Sequence, residues 1–212
     1  MNIITFPTGI YGANTYLIEN SETHETIMID PGGSFDLIQK MLSEHNLKLK
    51  HVLLTHGHFD HIGALEQVRN YYGVDVYAHA ECSKTIFDPL LNLSAYGNSP
   101  IGDQIKCEPV EHTLSEGQEF ELCGLKFKAI HAPGHSRGSM VYVVGRCAFT
   151  GDVLFKMSIG RTDFLGSDAN DMHNSLIKLK GMLTSDMQIL PGHGEESYMS
   201  KELDSNPFLK DL

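Results

Sequence analysis

Short runs of apolar and β-branched residues recur along the chain and predict a β-rich protein with a few helices. The strand-like runs are bounded by Gly, Pro, Asn or Asp, which are typical of turns. They lie at Asn2–Phe6, Thr15–Glu19, Glu25–Asp30, Lys50–Thr55, Val74–Ala78, Pro109–Thr113, Leu125–His131, Met140–Val144, Arg146–Thr150 and Met187–Leu190. Apolar residues at helical spacing predict helices at Asp36–His45, His61–Tyr72 and Ala169–Leu183, with a short one near Tyr198–Leu203.

The order of these elements favours an α/β fold in which sheets are covered by helices on their outer faces. No linker rich in Pro, Gly or Ser is long enough to divide the chain, so we expect a single domain over residues 1–212. The irregular stretch FDPLLNLSAYGNSPIG, residues 87–102, is a candidate functional loop. A packed surface insertion is an equally good interpretation of the same stretch.

Composition narrows the function classes. The formal net charge is −11, which argues against nucleic-acid binding because that would need clustered Lys and Arg. No apolar run approaches the roughly 20 residues needed to cross a membrane, and the first residues do not resemble a signal peptide. We therefore expect a cytoplasmic protein without a membrane partner. The four cysteines have no CxxC spacing, so we interpret them as reduced, mostly buried thiols.

Potential metal ligands follow four of the apolar runs. The segment LLTHGHFDHIG, residues 53–63, supplies His56, His58, Asp60 and His61. The segments KAIHAPGH, CAFTGD and QILPGH end in His135, Asp152 and His193. Loops at the ends of adjacent strands can converge on one point, and glycines let the backbone bend tightly enough to aim them. Taken singly, each residue has an ordinary explanation; Asp60, for example, could cap a helix beginning at His61. Seven groups together are too many for one tetrahedral zinc ion but suit two metals that share a bridging ligand.

The segments THGHFDHIG, APGHSRGS, FTGD and LPGHG together resemble the metallo-β-lactamase fold superfamily, whose signature is HxHxDH followed by His, Asp and His. The resemblance covers essentially the whole chain and implies a four-layer αββα sandwich. It implies that one metal is held by His56, His58 and His135, a second by Asp60, His61 and His193, and that Asp152 bridges them. Asp30, in MIDPGG, also matches and is a candidate to orient a ligand histidine or the backbone of the site. A plain turn-forming role for Asp30 is an equal alternative.

The stretch GDVLFKMSIGRTDFLGSD, residues 151–168, resembles the glyoxalase II-like hydrolases, and NPFLK, residues 206–210, resembles the tail of their short bacterial branch. Arg161 occupies the substrate-facing basic position of that branch. It could hold a glutathione-type carboxylate, or it could pin the loop through a salt bridge with Asp163. Typical glyoxalase II enzymes carry a long C-terminal helical region that helps to grip glutathione, whereas 19 residues follow His193 here. We therefore expect weak activity on S-lactoylglutathione or another thioester as substrate.

The function implied by the resemblance is hydrolysis of a small anionic thioester by a hydroxide shared between two divalent metal ions, with Asp60 and Asp152 as catalytic carboxylates. Zinc is the favoured metal, although Fe and Mn²⁺ suit the same ligands. The alternative is a persulfide dioxygenase of the same superfamily, which GRTDF also resembles and which would use one iron. A metal-binding scaffold without turnover is a third interpretation, and hydrolysis of β-lactams is disfavoured. The sequence leaves the oligomeric state open.

Overall fold

A computed structural model describes residues 1–96 and 104–212. Within these residues the strands are β1 (Asn2–Thr8), β2 (Ala13–Glu19), β3 (Glu25–Ile29), β4 (Lys48–Leu53), β5 (Asp75–His79), β6 (His112–Leu114), β7 (Glu119–Leu122), β8 (Leu125–His131), β9 (Met140–Val144), β10 (Cys147–Gly151), β11 (Leu154–Phe155), β12 (Ser158–Ile159), β13 (Gln188–Pro191) and β14 (Ser197–Tyr198). The helices are α1 (Phe35–Glu44), α2 (Phe59–Ile62), α3 (Leu65–Tyr72), α4 (Ala80–Phe87), α5 (Ala169–Met182) and α6 (Met199–Ser205).

These strands form two six-stranded sheets and a hairpin. The first sheet has the order β1-β2-β3-β4-β5-β6, and the second has the order β14-β13-β10-β9-β8-β7. In the first sheet, β1 to β3 pair antiparallel, and β3 to β6 pair parallel through helical crossovers. The hairpin joins β11 to β12. Each sheet is therefore mixed, with helices in its connections.

Alternation of side chains along the strands builds three apolar layers. On β3, Ile27 points between the two sheets and belongs to the same buried cluster as Tyr142 of β9, whereas Met28 points outward and belongs to the cluster that includes Ile38 of α1. On β9, Val141 points to the outer face of the second sheet and packs with Met172 of α5. Because successive side chains of a strand face opposite sides, each sheet buries both faces. The resulting order is helix, sheet, sheet, helix, which confirms the expected four-layer αββα sandwich.

The helices differ from the sequence predictions in two places, and the short strands β7, β11, β12 and β14 were not predicted. The helix expected at residues 61–72 is divided into α2 and α3, because the chain at Gly63 lies against the turn that follows β3. A Cβ atom on Gly63 would stand 2.5 Å from the carbonyl oxygen of Gly32. Helix α4 was not predicted from the sequence, and the candidate loop at 87–102 begins at its last residue. Residues 97–102 of that candidate loop lie outside the described residues.

None of the helices in the described part of the chain combines the length and the apolar character that crossing a membrane would need. The assignment of residues 1–212 to one domain stays a prediction.

Candidate metal centre

The seven predicted ligands converge from strand ends of both sheets. The loop after β4 and helix α2 carry the first four, and the loops after β8, β10 and β13 carry the other three. Six of them form two groups of three, and the potential donor atoms of each group lie within 4.8 Å of one another. The first group contains His56, His58 and His135, and the second contains Asp60, His61 and His193. The structure thus brings together the same two sets that the sequence predicted.

Each group has close contacts between potential donors. In the first, Nδ1 of His58 lies 2.9 Å from Nε2 of His135. In the second, Nε2 of His193 lies 3.2 Å from Nε2 of His61 and 3.2 Å from Oδ2 of Asp60. Asp60 lies inside α2, and the N-terminal capping position of that helix belongs to His58. The carboxylate of Asp60 therefore faces the second group rather than capping the helix.

Asp152 stands between the two groups. Its Oδ2 lies 3.5 Å from Nε2 of His135 and 3.6 Å from Nε2 of His193, and its Oδ1 lies 3.4 Å from Nε2 of His61. One carboxylate therefore reaches donors of both groups, which is the position required of a bridging ligand.

Asp30 and Thr55 set the tautomers of two histidines. Asp30 has a left-handed φ of 51°, and its carboxylate accepts hydrogen bonds from the Thr55 hydroxyl and, at 2.9 Å, from Nδ1 of His61. Since the Thr55 hydroxyl hydrogen points to Asp30, its oxygen accepts a hydrogen bond from Nδ1 of His56 at 3.2 Å. In their neutral forms both histidines then carry the proton on Nδ1 and a lone pair on Nε2. Asp30 thus serves as a turn residue and as an orienting residue.

His135 is oriented by a backbone group that the sequence did not reveal. Its Nδ1 donates a hydrogen bond to the carbonyl oxygen of Arg161 at 2.8 Å, which leaves the lone pair of Nε2 facing His58. A Cβ atom on Gly160 would stand 1.8 Å from the carbonyl oxygen of Asp152. Glycine at position 160 therefore lets the chain pass close enough for Arg161 to reach His135.

The loop that carries His193 is held from β2. The Nδ2 of Asn14 donates to the carbonyl oxygens of Pro191 and Gly194, each at 3.0 Å, and the backbone N–H of Asn14 donates to Gly192 at 2.7 Å. The hydroxyl of Tyr16 donates to Pro191 at 2.6 Å. Neither Asn14 nor Tyr16 was predicted from the sequence to support the site, because a side chain that donates to a distant backbone carbonyl leaves no characteristic spacing of residues.

A buried carboxylate of α6 holds the β11–β12 hairpin. Glu202 accepts hydrogen bonds from the backbone N–H of Met157 and from Nδ2 of Asn206, each at 2.8 Å, and from the Ser197 hydroxyl. Asn206 also donates to the carbonyl oxygens of Phe155 and Ser158. The NPFLK segment therefore ties the end of the chain to the hairpin next to the metal centre.

Burial and charge set the ionisation of the candidate ligands. Burial lowers the pKa of His58 to about 3 and the pKa of His56 well below its usual range, so both imidazoles are neutral near pH 7. Burial alone would raise the pKa of Asp60 and Asp152, but the neighbouring His61 holds the pKa of both carboxyls below the usual range. Burial alone would lower the pKa of His61, but the carboxylates of Asp152 and Asp60 raise it well above the usual range. The carboxylates of Asp60 and Asp152 thus favour a positive charge beside them, which a protonated His61 or a bound cation can supply.

The donor atoms fit divalent metal ions. In the first group, Nδ1 of His58 can donate a hydrogen bond to the lone pair of Nε2 of His135, or a cation can take both nitrogens as ligands. Nε2 of His56 and Oδ1 of Asp152 are also buried, and neither has a hydrogen-bond partner among the described residues. Such groups are costly to bury without a partner. Imidazole and carboxylate donors suit Zn²⁺, Fe and Mn²⁺.

A cavity of about 780 Å³ opens above the two groups and reaches His58, Asp60, His135, Asp152 and His193. Its wall is largely apolar and includes Tyr11, Phe59, Leu93, Phe155, Phe164 and Leu165. Arg161 lies at the cavity and makes a bidentate salt bridge with Asp163, at 2.8 and 2.9 Å. Its guanidinium also stacks on the ring of Phe164, 4.3 Å from the ring centre. The loop-pinning interaction considered for Arg161 is therefore present.

Comparison with known proteins identifies the class to which this fold and site belong. Residues 8–193 match the Metallo-beta-lactamase superfamily, and the chain belongs to this family. Membership supports a metal-dependent hydrolase and confirms the resemblance inferred from the sequence.

Individual relatives are similar over nearly their whole length. The chain is 36% identical over 211 residues to the hydroxyacylglutathione hydrolase GloC of Haemophilus influenzae, covering 99% of this chain and 98% of that protein. It superposes on the crystal structure of the BLEG-1 B3 metallo-beta-lactamase with a TM-score of 0.91 at 34% identity, covering 98% and 99% of the two chains. It also superposes on TTHA1623 in a di-iron-bound form with a TM-score of 0.84 at 31% identity, covering 97% and 100%.

Proposed function

We propose that the protein is a metal-dependent hydrolase of thioesters, similar to glyoxalase II, with two divalent cations at the candidate metal centre. The observation that carries the proposal is the position of Asp152 between two groups of three donors. Its supporting comparison is the similarity to GloC over nearly the whole of both chains.

In this proposal His56, His58 and His135 hold the first cation, Asp60, His61 and His193 hold the second, and Asp152 contacts both. Bound cations would polarise the substrate carbonyl, lower the pKa of the attacking water and stabilise the negative charge that develops on the carbonyl oxygen. Zinc is the favoured metal. Iron is the main alternative, because TTHA1623 is described in a di-iron-bound form.

The chain itself contributes orientation and proton acceptance. Asp30 orients His61 directly and orients His56 through the Thr55 hydroxyl. These contacts keep Nε2 of both histidines aimed into the centre. Asp60 and Asp152 line the cavity, where a carboxylate can accept a proton from the attacking water. A thiolate leaves readily, so a thioester needs no strong general acid from the protein. The proposed substrate is a small thioester with an anionic thiol portion, such as S-lactoylglutathione.

Metal content and activity measured on the same sample test the proposal. Protein purified without chelator should contain about two zinc or iron ions per chain and should hydrolyse S-lactoylglutathione. Removal of the metal should abolish turnover, and addition of Zn²⁺, Fe²⁺ or Mn²⁺ should restore it. The variant His193→Ala should lose the second ion and most of the activity, whereas His173→Ala, an exposed histidine on α5, should keep both.

Two results would overturn the proposal. One iron per chain, no hydrolysis, and oxygen uptake on adding glutathione persulfide would assign the protein to the dioxygenases, with His56, His135 and Asp152 as the iron ligands. Turnover of a chromogenic β-lactam by the metal-loaded protein, without turnover of thioesters, would assign it the activity that the name of BLEG-1 carries.

A further inference from the structure

The geometry points to a thioester whose acyl group is apolar, aliphatic or aromatic, as the preferred substrate of the cavity above the metal centre. This inference rests on the proposed hydrolase function and narrows it, because a lactoyl group is small and polar.

Aromatic rings stand on both sides of the donor groups. The ring of Phe164 packs edge-on against His58 and His135, with centroids 5.7 and 6.0 Å away. On the other side, the ring of Phe155 packs edge-on against His193 at 6.2 Å. A carbonyl carbon held at the donors would therefore have apolar surface directly beside it.

The outer part of the cavity is also lined by apolar side chains. Tyr11 packs edge-on against Phe59, with ring centroids 5.5 Å apart, and its side chain is 54% exposed. Leu165, which also belongs to the wall, is 51% exposed. Large apolar side chains that stay exposed together at the mouth of a cavity are typical of a binding surface for an apolar ligand.

The charges of the cavity argue in the same direction. Among the described residues that line it, Arg161 is the one lysine or arginine, and Asp163 already occupies its guanidinium through two hydrogen bonds. The other charged side chains of the lining are carboxylates, Asp60 and Asp152, which belong to the candidate metal centre. A charged acyl group would thus find no unpaired lysine or arginine in the described wall, whereas an apolar acyl group would bury surface against rings.

A series of thioesters of one thiol tests the inference with the metal-loaded protein. Glutathione thioesters of acetate, lactate, butyrate, hexanoate and phenylacetate keep the thiol constant and vary only the acyl group. Each buried methylene can contribute about a fourfold gain, so kcat/KM for hexanoyl should exceed that for acetyl and lactoyl by at least about tenfold. A parallel calorimetric series, with ketone analogues in which CH₂ replaces the sulfur, should give the same order of affinity without turnover.

Variants of the wall locate the preference. Leu165→Ser and Tyr11→Ser should each reduce the hexanoyl-to-acetyl ratio at least about threefold and leave the metal content at two. The matched control is Ile177→Ser, which changes a 48% exposed side chain on α5, away from the cavity, and should leave the ratio unchanged. A separate variant concerns the thiol portion of the substrate. Asp163→Asn should free the Arg161 guanidinium. The KM for glutathione thioesters should then fall about two- to fivefold relative to the KM for thioesters of the neutral thiol N-acetylcysteamine.

Failure of the inference differs from failure of the proposed function. Hydrolysis with equal kcat/KM across the acyl series would overturn the apolar preference and leave the hydrolase intact. If the metal-loaded protein hydrolysed no thioester, the proposed function would be lost. The ketone series would then decide only whether the cavity prefers apolar acyl groups, and equal affinities for the acetyl and hexanoyl analogues would overturn that preference.

Discussion

Asp30 and His61 are joined by a hydrogen bond of 2.9 Å between two fully buried side chains. The same carboxylate orients His56 through the Thr55 hydroxyl. One side chain at the end of β3 therefore controls a histidine in each donor group. It does so without itself lining the cavity.

The first prediction concerns this carboxylate. Asp30→Asn should weaken metal binding about 10- to 100-fold, because an amide cannot accept all the hydrogen bonds that Asp30 accepts. Competition with a colorimetric chelator measures the affinity, and elemental analysis measures the number of ions per chain. Asp36→Asn, an exposed position in α1, is the control. Unchanged affinity in a folded Asp30→Asn protein would show that Asp30 acts only in the turn.

The second prediction compares a glycine that is crowded by the metal centre with a glycine that has open space beside it. A Cβ atom on Gly192 would stand 2.1 Å from Oδ1 of Asp152 and 2.8 Å from Cε1 of His61, so Gly192→Ala should displace the bridging carboxylate and reduce metal affinity at least about tenfold. Gly181, in α5, has no atom within 4 Å of the corresponding point. Gly181→Ala should leave metal binding intact and raise the free energy of unfolding by about 0.5 kcal/mol. Equal metal affinity in the two variants would contradict the proposed position of Asp152.

The third prediction concerns the support of the β11–β12 hairpin. Asn206→Asp places a second carboxylate beside Glu202 and next to two carbonyl oxygens, and should lower the free energy of unfolding by about 2–4 kcal/mol at pH 7.5. Two such carboxylates favour sharing a proton in the folded state. The folded state then binds more protons than the unfolded state, so the loss should shrink as the pH falls toward about 5.

Urea unfolding at both pH values measures this effect. Asn174→Asp makes the same change at an exposed position of α5 and should stay within about 0.5 kcal/mol of wild type. A loss in Asn206→Asp no larger than in this control would mean that α6 does not support the hairpin.

The fourth prediction concerns the thiols. Burial raises the pKa of Cys107 to about 12, that of Cys82 well above its usual range, and that of Cys123 to about 11. At pH 8 a thiol-specific reagent should therefore modify Cys82 and Cys107 only after unfolding, because the thiolate reacts. Mass spectrometry of the labelled peptides locates the sites. Labelling of Cys107 in the folded protein as fast as in urea would contradict the burial.

The raised pKa values of these thiols also determine how the free energy of unfolding changes at alkaline pH. Above about pH 8.5 the thiols of the unfolded chain lose their protons while the buried thiols keep theirs. The unfolded state then binds fewer protons, so the free energy of unfolding should fall as the pH rises. Cys107→Ala should reduce this slope, which unfolding curves between pH 8 and 10 would measure.

The sequence predicted which candidate donors converge because they follow four apolar strands, and the strand and turn signals are local. His135, Asp152 and His193 each come directly after an apolar run and a glycine. Asn14 and Glu202 escaped prediction because their partners are carbonyl and amide groups of distant backbone. The break between α2 and α3 also escaped, since it depends on contact between Gly63 and Gly32, which lie 31 positions apart (63 − 32).

The donors of the metal centre are spread over 138 positions of the chain, from His56 to His193 (193 − 56 + 1). During synthesis, the four donors near β4 are made long before the loop of His193, and that loop is held in place by Asn14 from the start of the chain. The first donor group needs no residue from the loop after β13, whereas the second lacks His193 until β13 has paired beside β10. In the proposed hydrolase, the second metal ion would therefore bind late in the maturation of the protein, after the two sheets have met.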